Sequence, residues 1–187
     1  MSKASQFILL CEDKLQEVIA RRFLLEHGVP NRVIRVERCA DDGSGGAGEK
    51  YVRDRYPNEL EACRTRHAST ALIVMIDADT STVADRNRQL DEACSNRDIQ
   101  PRGMHEPIAY IIPRRNIETW LAHLNGVDVD ERTNYKPEYS FRGAEADSRH
   151  LVKKFVEWCR QQEMPGDPPA SLRTACEEFV RIRPMLS

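Results

Sequence analysis

Two short apolar runs, Gln6–Cys11 (QFILLC) and Ala71–Ile76 (ALIVMI), each stop abruptly in carboxylates: Glu12-Asp13 after the first, Asp77-Ala78-Asp79 after the second. Runs this short, apolar at nearly every position, suit strands buried on both faces, and such strands belong to parallel sheets covered by helices. The intervening segments carry helical spacing. Leu15, Val18, Ile19 and Phe23 share one face of a stretch stopped by Gly28. Val83, Asn87, Leu90 and Cys94 share one face of another, with Thr80, Ser81 and Thr82 as N-cap candidates. Arg32–Cys39 alternates like a strand exposed on one face. Glu49–Arg66 reads as helix broken near Pro57. IAYIIP, residues 108–113, is a further strand, and NIETWLAHL a helix after it. The expectation is α/β: a parallel sheet of about four strands flanked by helices, with right-handed crossovers.

This pattern occupies residues 1–125. Residues 126–187 are expected to be an irregular loop and a helical C-terminal extension packed on that domain. The loop, to about residue 147, is polar and aromatic (Tyr135, Tyr139, Phe141). Two amphipathic helices follow, with core faces Leu151, Phe155, Trp158 and Leu172, Cys176, Phe179, split by MPGDPPAS. Ala40–Gly48 holds four glycines and reads as a loop, but it lacks the spacing of a phosphate cradle.

The 187 residues are 40% hydrophobic and 31% charged, the composition of a globular chain with an ordinary core. Ala71–Ile76 is the longest apolar run and far too short to span a bilayer. MSKASQF reaches the first strand at once, leaving no room for a signal peptide, so no membrane association and a cytoplasmic location are expected. Cys11, Cys39, Cys63, Cys94, Cys159 and Cys176 form no CxxC pair, and reduced thiols, several in the core, are expected. A net charge of -2 excludes a polycation built to coat nucleic acid. The basic residues are 22 Arg against 6 Lys. Arg is the better phosphate fork, although genomic base composition produces the same bias.

In an open parallel sheet, functional groups gather at the carboxyl ends of the strands. Glu12, Asp13, Asp77 and Asp79 all fall there, and strand periodicity points Asp77 and Asp79 to one side with small Ala78 between them. Carboxylates crowded at one edge repel unless something positive sits among them. A hard dication with oxygen ligands is the natural partner; the alternative is that acids simply end strands and cap helices.

These residues resemble the Toprim domain: a Glu closing the first strand in FILLCEDKLQE, and an apolar strand ending in DxD in LIVMIDAD. IPRRNIETWLAHL is similar to the strand and E-x-W-L helix of small defence-associated Toprim-like proteins and overcoming-lysogenization-defect nucleases, which gives Glu118 a role. The resemblance covers roughly residues 6–125. It implies phosphodiester chemistry supported by Mg2+ or Mn2+, with Glu12, Asp77 and Asp79 catalytic and Glu12, Asp13, Asp77, Asp79 and Glu118 around the metal. Asp13 stands where the family usually has a small residue, and is either an extra ligand or the mark of a different turn. A nuclease acting on DNA, RNA or tRNA follows, as the effector of an antiviral or toxin-like system with an ATPase partner. The alternatives are a non-catalytic Toprim-like scaffold and a receiver-like phosphoacceptor domain.

Lys14, Arg114 and Arg115 are candidates to hold a substrate phosphate; the plainer alternatives are a solvated helix face for Lys14, and plain surface positions or a pair with Glu118 for the arginines. Arg142, Arg149, Lys153, Lys154 and Arg160, near Tyr135, Tyr139 and Phe141, have the basic and aromatic character of a nucleic-acid surface, or of a solvated helix face. His105 and His123 lack metal-like spacing.

Overall fold

A computed structural model of the chain describes residues 4–40, 47–66, 69–137, 145–161, 164 and 166–186. The fold is α/β. Four parallel strands, β1 (Gln6–Cys11), β2 (Ile34–Arg38), β3 (Thr70–Met75) and β4 (Ile108–Ile111), form one sheet in the order β2-β1-β3-β4. Among the described residues six α-helices flank it: α1 (Lys14–Glu26), α2 (Ala47–Thr65), α3 (Val83–Ser95), α4 (Ile117–Leu124), α5 (Glu145–Gln161) and α6 (Ala170–Phe179). Among the described residues no helix is long and apolar enough to cross a membrane.

The two-residue period of the central strands divides the core. Phe7, Leu9 and Cys11 of β1, with Ala71, Ile73 and Met75 of β3, face a layer made by α1, α4, α5 and α6. Ile8, Leu10, Leu72, Val74 and Ile76 face α2 and α3 through Val52, Tyr56, Leu60, Leu90 and Cys94. Each aliphatic side chain fully buried this way contributes about 1.5–3 kcal/mol, which explains why both central strands are apolar throughout. The C-terminal helices complete one of the two layers: Leu151, Phe155, Leu172 and Phe179 share a core with Ile19 and Phe23 of α1. Trp158, expected in that core, is only partly buried against it.

Two expectations are corrected. Helix α2 runs unbroken through Pro57. The proline deprives one carbonyl of its donor, a cost of about 3 kcal/mol, but Val52, Tyr56 and Leu60 are fully buried against the sheet and hold both halves in line. Second, Cys159 and Cys176 are joined in a disulfide between α5 and α6, so the chain is not an all-thiol one. Its helical faces bring the two cysteines together at a Cα–Cα distance of 5.0 Å, although they lie 17 residues apart. Cys11, Cys39, Cys63 and Cys94 are free.

Candidate functional site

Strand order reverses between β1 and β3, since β1 connects to β2 on one side while the chain returns to pair β3 on the other. Such a switch point opens a crevice beyond the carboxyl ends of the two strands. Cys11 pairs with Met75, so the acids following each strand meet across this crevice. Glu12 Oε1 accepts the Asp77 N–H at 2.5 Å. Gln16 Nε2 donates to Asp77 Oδ1 at 3.0 Å, and Gln16 Oε1 accepts the Glu12 N–H at 3.0 Å. Gln16 is fully buried and ties the two acidic turns together.

Asp13 caps α1, its Oδ1 accepting the Gln16 N–H at 2.9 Å; a carboxylate is preferred there for that bond and for the helix dipole. Its place is therefore that of a capping acid at the rim of the crevice. The β3 backbone stays extended past the strand, with the Ile76 and Ala78 N–H groups bonded to Ile111 and Pro113 carbonyls. It then turns at Asp79, whose φ of 53° lies in the left-handed region. Asp77 and Asp79 therefore do not lie alike: Asp77 is 2% exposed, while the Asp79 side chain is 49% exposed. Asp79 faces Arg86 of α3 at 3.7 Å. Arg86 is buried and also pairs with Glu49 and with Gln89 at 2.7 Å.

Glu118, in the first turn of α4, is buried, and its Oε2 has no hydrogen-bond partner. Lys136, from the connection between α4 and α5, lies 3.9 Å from Asp77 Oδ2. The charges respond accordingly. Burial raises the Glu12 carboxyl to about 7, with Asp79 and Asp13 adding to the shift and the Asp77 N–H and Arg86 opposing it. Burial raises Asp77 well above the usual carboxylate range, and Glu12 adds to this. Burial raises Glu118 too, with Lys136 working against it. Partial burial works to lower the Lys136 ammonium, but Asp77, Glu118, Asp13 and Asp79 outweigh it and leave it raised.

Among the described residues, no three His, Cys, Asp or Glu side chains are arranged to hold a metal ion. The donor chemistry nevertheless fits a hard dication: every facing ligand is a carboxylate oxygen, and an orphaned buried oxygen on Glu118 marks unmet negative charge.

The remaining candidates lie elsewhere. Lys14 pairs with Glu17 at 3.0 Å, its side chain 59% exposed. Arg114 lines an open cleft with Asp130, Glu131, Arg132 and Thr133, and its N–H bonds to Ser171 Oγ. Arg115 Nε is buried without a partner, and among the described residues neither arginine pairs with the acids or with Glu118. Lys154 and Arg160 donate to the Leu124 and Glu26 carbonyls, leaving Arg149 and Lys153 exposed on α5. Tyr135 is buried and offers no stacking face. Tyr139, Phe141, Arg142 and positions 41–46 of the glycine-rich loop lie outside the described residues. His123 packs edge-on against Trp158.

Three site residues escape a reading of the sequence. Arg86 had a weak signal: it stands four and eight residues before Leu90 and Cys94, with which it shares the buried face of α3. Gln16 had a weaker one, standing one turn after Glu12. Lys136 had none. Compared with protein-family models, curated proteins and solved structures, the chain matches none.

Proposed function

We propose that the chain is a divalent-metal-dependent nuclease that hydrolyses phosphodiesters of DNA or RNA. The observation that carries this reading is the convergence of Glu12, Asp77 and Glu118, from the turns after β1 and β3 and the first turn of α4, on the switch-point crevice, with Glu118 Oε2 left without a donor. Mg2+ or Mn2+ held by Asp77 and Asp79, with Glu12, Asp13 and Glu118 at its margin, would supply charge stabilisation of the phosphate oxygens and an activated water.

The chain's own groups have distinct tasks. Glu12 titrates at about 7, near where a general acid/base works best at neutral pH. Its Oε1 is held by the Asp77 N–H, which leaves Oε2 to take and return the proton. Gln16 fixes the deep carboxylate of Asp77 in orientation. Lys136 brings an ammonium to the mouth, and Arg114 and Arg132 line a cleft that suits a neighbouring phosphate of the same strand. The Toprim resemblance adds an effector role in an antiviral or toxin-like system with an ATPase partner. Incubating the purified protein with plasmid, single-stranded DNA and total tRNA, in Mg2+, Mn2+ or EDTA, tests the reading. Cleavage that needs metal and is lost in Asp77→Asn supports it; no cleavage of any substrate, with or without a partner, leaves a scaffold.

A phosphoacceptor reading gains one observation, the Lys136–Asp77 pair. Against it, Asp77 is buried and its Oδ1 is engaged by Gln16. Labelling by acetyl phosphate that disappears in Asp77→Asn would favour it over hydrolysis.

A further inference from the structure

Residues 130–136 form a strap braced by its own turn and tied to the body at Glu131 and Asn134. Asp130 Oδ1 accepts the N–H groups of Arg132 and Thr133 at 2.7 and 2.8 Å. Glu131 Oε1 accepts the N–H of Ser171, the hydroxyl of which also receives the Trp120 indole at 2.8 Å. Asn134 Oδ1 accepts from Asn116 Nδ2 at 2.8 Å and from the Lys136 N–H at 3.1 Å. Asn116 is the cap of α4, two residues before Glu118. The strap is thereby anchored on the helix that carries an acid of the crevice, and its last residue reaches Asp77. So many anchors fix where one flexible side chain begins.

Both oxygens of the deepest carboxylate are consequently met by the chain itself: Gln16 at Oδ1 and Lys136 at Oδ2. Asp79 faces Arg86. Among the described residues Glu118 Oε2 is buried with no partner, and Glu12 meets the Asp77 N–H through Oε1. Of the two cations at these acids, Arg86 is already answered by Glu49, which leaves Lys136 as the cation facing Asp77. One dication can sit beside it; a second would have to displace that ammonium, a compact point charge on a movable stem.

Resting on the metal-dependent reading above, we propose that Lys136 is the crevice's own counter-cation, holding the charge position of one divalent ion so that the crevice takes a single dication. The C-terminal extension is then part of the site and sets its metal stoichiometry. Like charges a few ångströms apart at a half-exposed site repel enough that deleting the ammonium should tighten metal binding about tenfold or more.

Mn2+ binding, followed by electron paramagnetic resonance of the free ion, tests this on wild type, Lys136→Met and Lys136→Arg. The wild type and Lys136→Arg should each bind one ion with similar affinity. Lys136→Met should bind at least about tenfold more tightly, or take a second ion. Unchanged or weaker binding in Lys136→Met, two ions on the wild type, or none on either would overturn the proposal. Circular dichroism melts in EDTA check folding, and Lys136→Gln replaces Lys136→Met if the latter fails to fold. Plasmid and tRNA cleavage measured in parallel separates the two ideas. A wild type that cleaves while Lys136→Met leaves the isotherm unchanged sinks only the counter-cation. A wild type that shows the isotherm shift but cleaves nothing sinks only the nuclease.

Discussion

Replacing Gln16 with Met tests whether the crevice is held together as described. Gln16 is fully buried; its carbonyl accepts the Glu12 N–H and its amide donates to Asp77 Oδ1, both at 3.0 Å. Methionine matches glutamine in length and helix propensity, so neither a cavity nor a propensity penalty enters. The change leaves one backbone donor and one carboxylate oxygen buried and unpaired, each costing about 1–3 kcal/mol with the charged acceptor at the upper end. The sum is about 2–6 kcal/mol, which in a chain this size lowers Tm by about 4–24 °C. Urea unfolding in EDTA at pH 7, followed by tryptophan fluorescence, measures it. A cycle with Asp77→Ala should give a coupling of about 0.5–3 kcal/mol. A loss below about 1 kcal/mol with no coupling to Asp77 would refute the bridge.

Glu12→Gln should lower cleavage about 10²–10⁴-fold while nucleic-acid binding survives, read by gel-resolved cleavage and filter binding. In EDTA the same substitution has a pH signature. Glu12 binds its proton more tightly folded, at about 7, than the 4.5 of an ordinary glutamate, so wild-type stability falls as pH rises between those values; Glu12→Gln should flatten that part of the profile. Millimolar Mg2+ should raise the Tm of the wild type by mass action, and Asp77→Asn with Asp79→Asn should abolish the shift in a thermal melt. Reducing the Cys159–Cys176 bridge, or replacing both residues with Ser, should cost about 3 kcal/mol in urea titrations, given a loop of this length. Pro57→Ala restores a helical donor in the middle of α2 and should raise Tm in a calorimetric scan; a fall would show that the buried ring is worth more than the bond.

The parts of the fold written in local pattern were legible. β1 and β3 announce themselves because burial on both faces demands apolar residues throughout, and Glu12, Asp77 and Asp79 follow as the polar residues that end them. Thr82 was one of three adjacent cap candidates, and the structure selects it because Asp85 completes the reciprocal capping pair. What local pattern could not carry was anything set by tertiary contact. Pro57 persists in α2 because the sheet holds the helix on both sides of it. Arg86 is buried because Glu49, from another helix, neutralises it. The disulfide depends on how α5 crosses α6, and Lys136 on where a strap is tied by Asn116, a residue that reads only as a helix cap. Strand periodicity misplaced Asp79, since the left-handed turn there interrupts the alternation that would have set it beside Asp77.

The first turn of α2 rests directly on the acidic turn after β1. A Cβ at Gly48 would stand 2.9 Å from the Cβ of Glu12 and 3.1 Å from its carbonyl oxygen, and neither is the free end of a side chain that could swing away. Every residue but glycine carries that Cβ and all carry the carbonyl, so replacing the acid does not relieve the contact. In chains descended from a common ancestor with this one, glycine at 48 should persist wherever the first turn of α2 keeps its seat, whichever side chain stands at 12. A side chain at 48 would mark a line in which the helix has moved off the acidic turn.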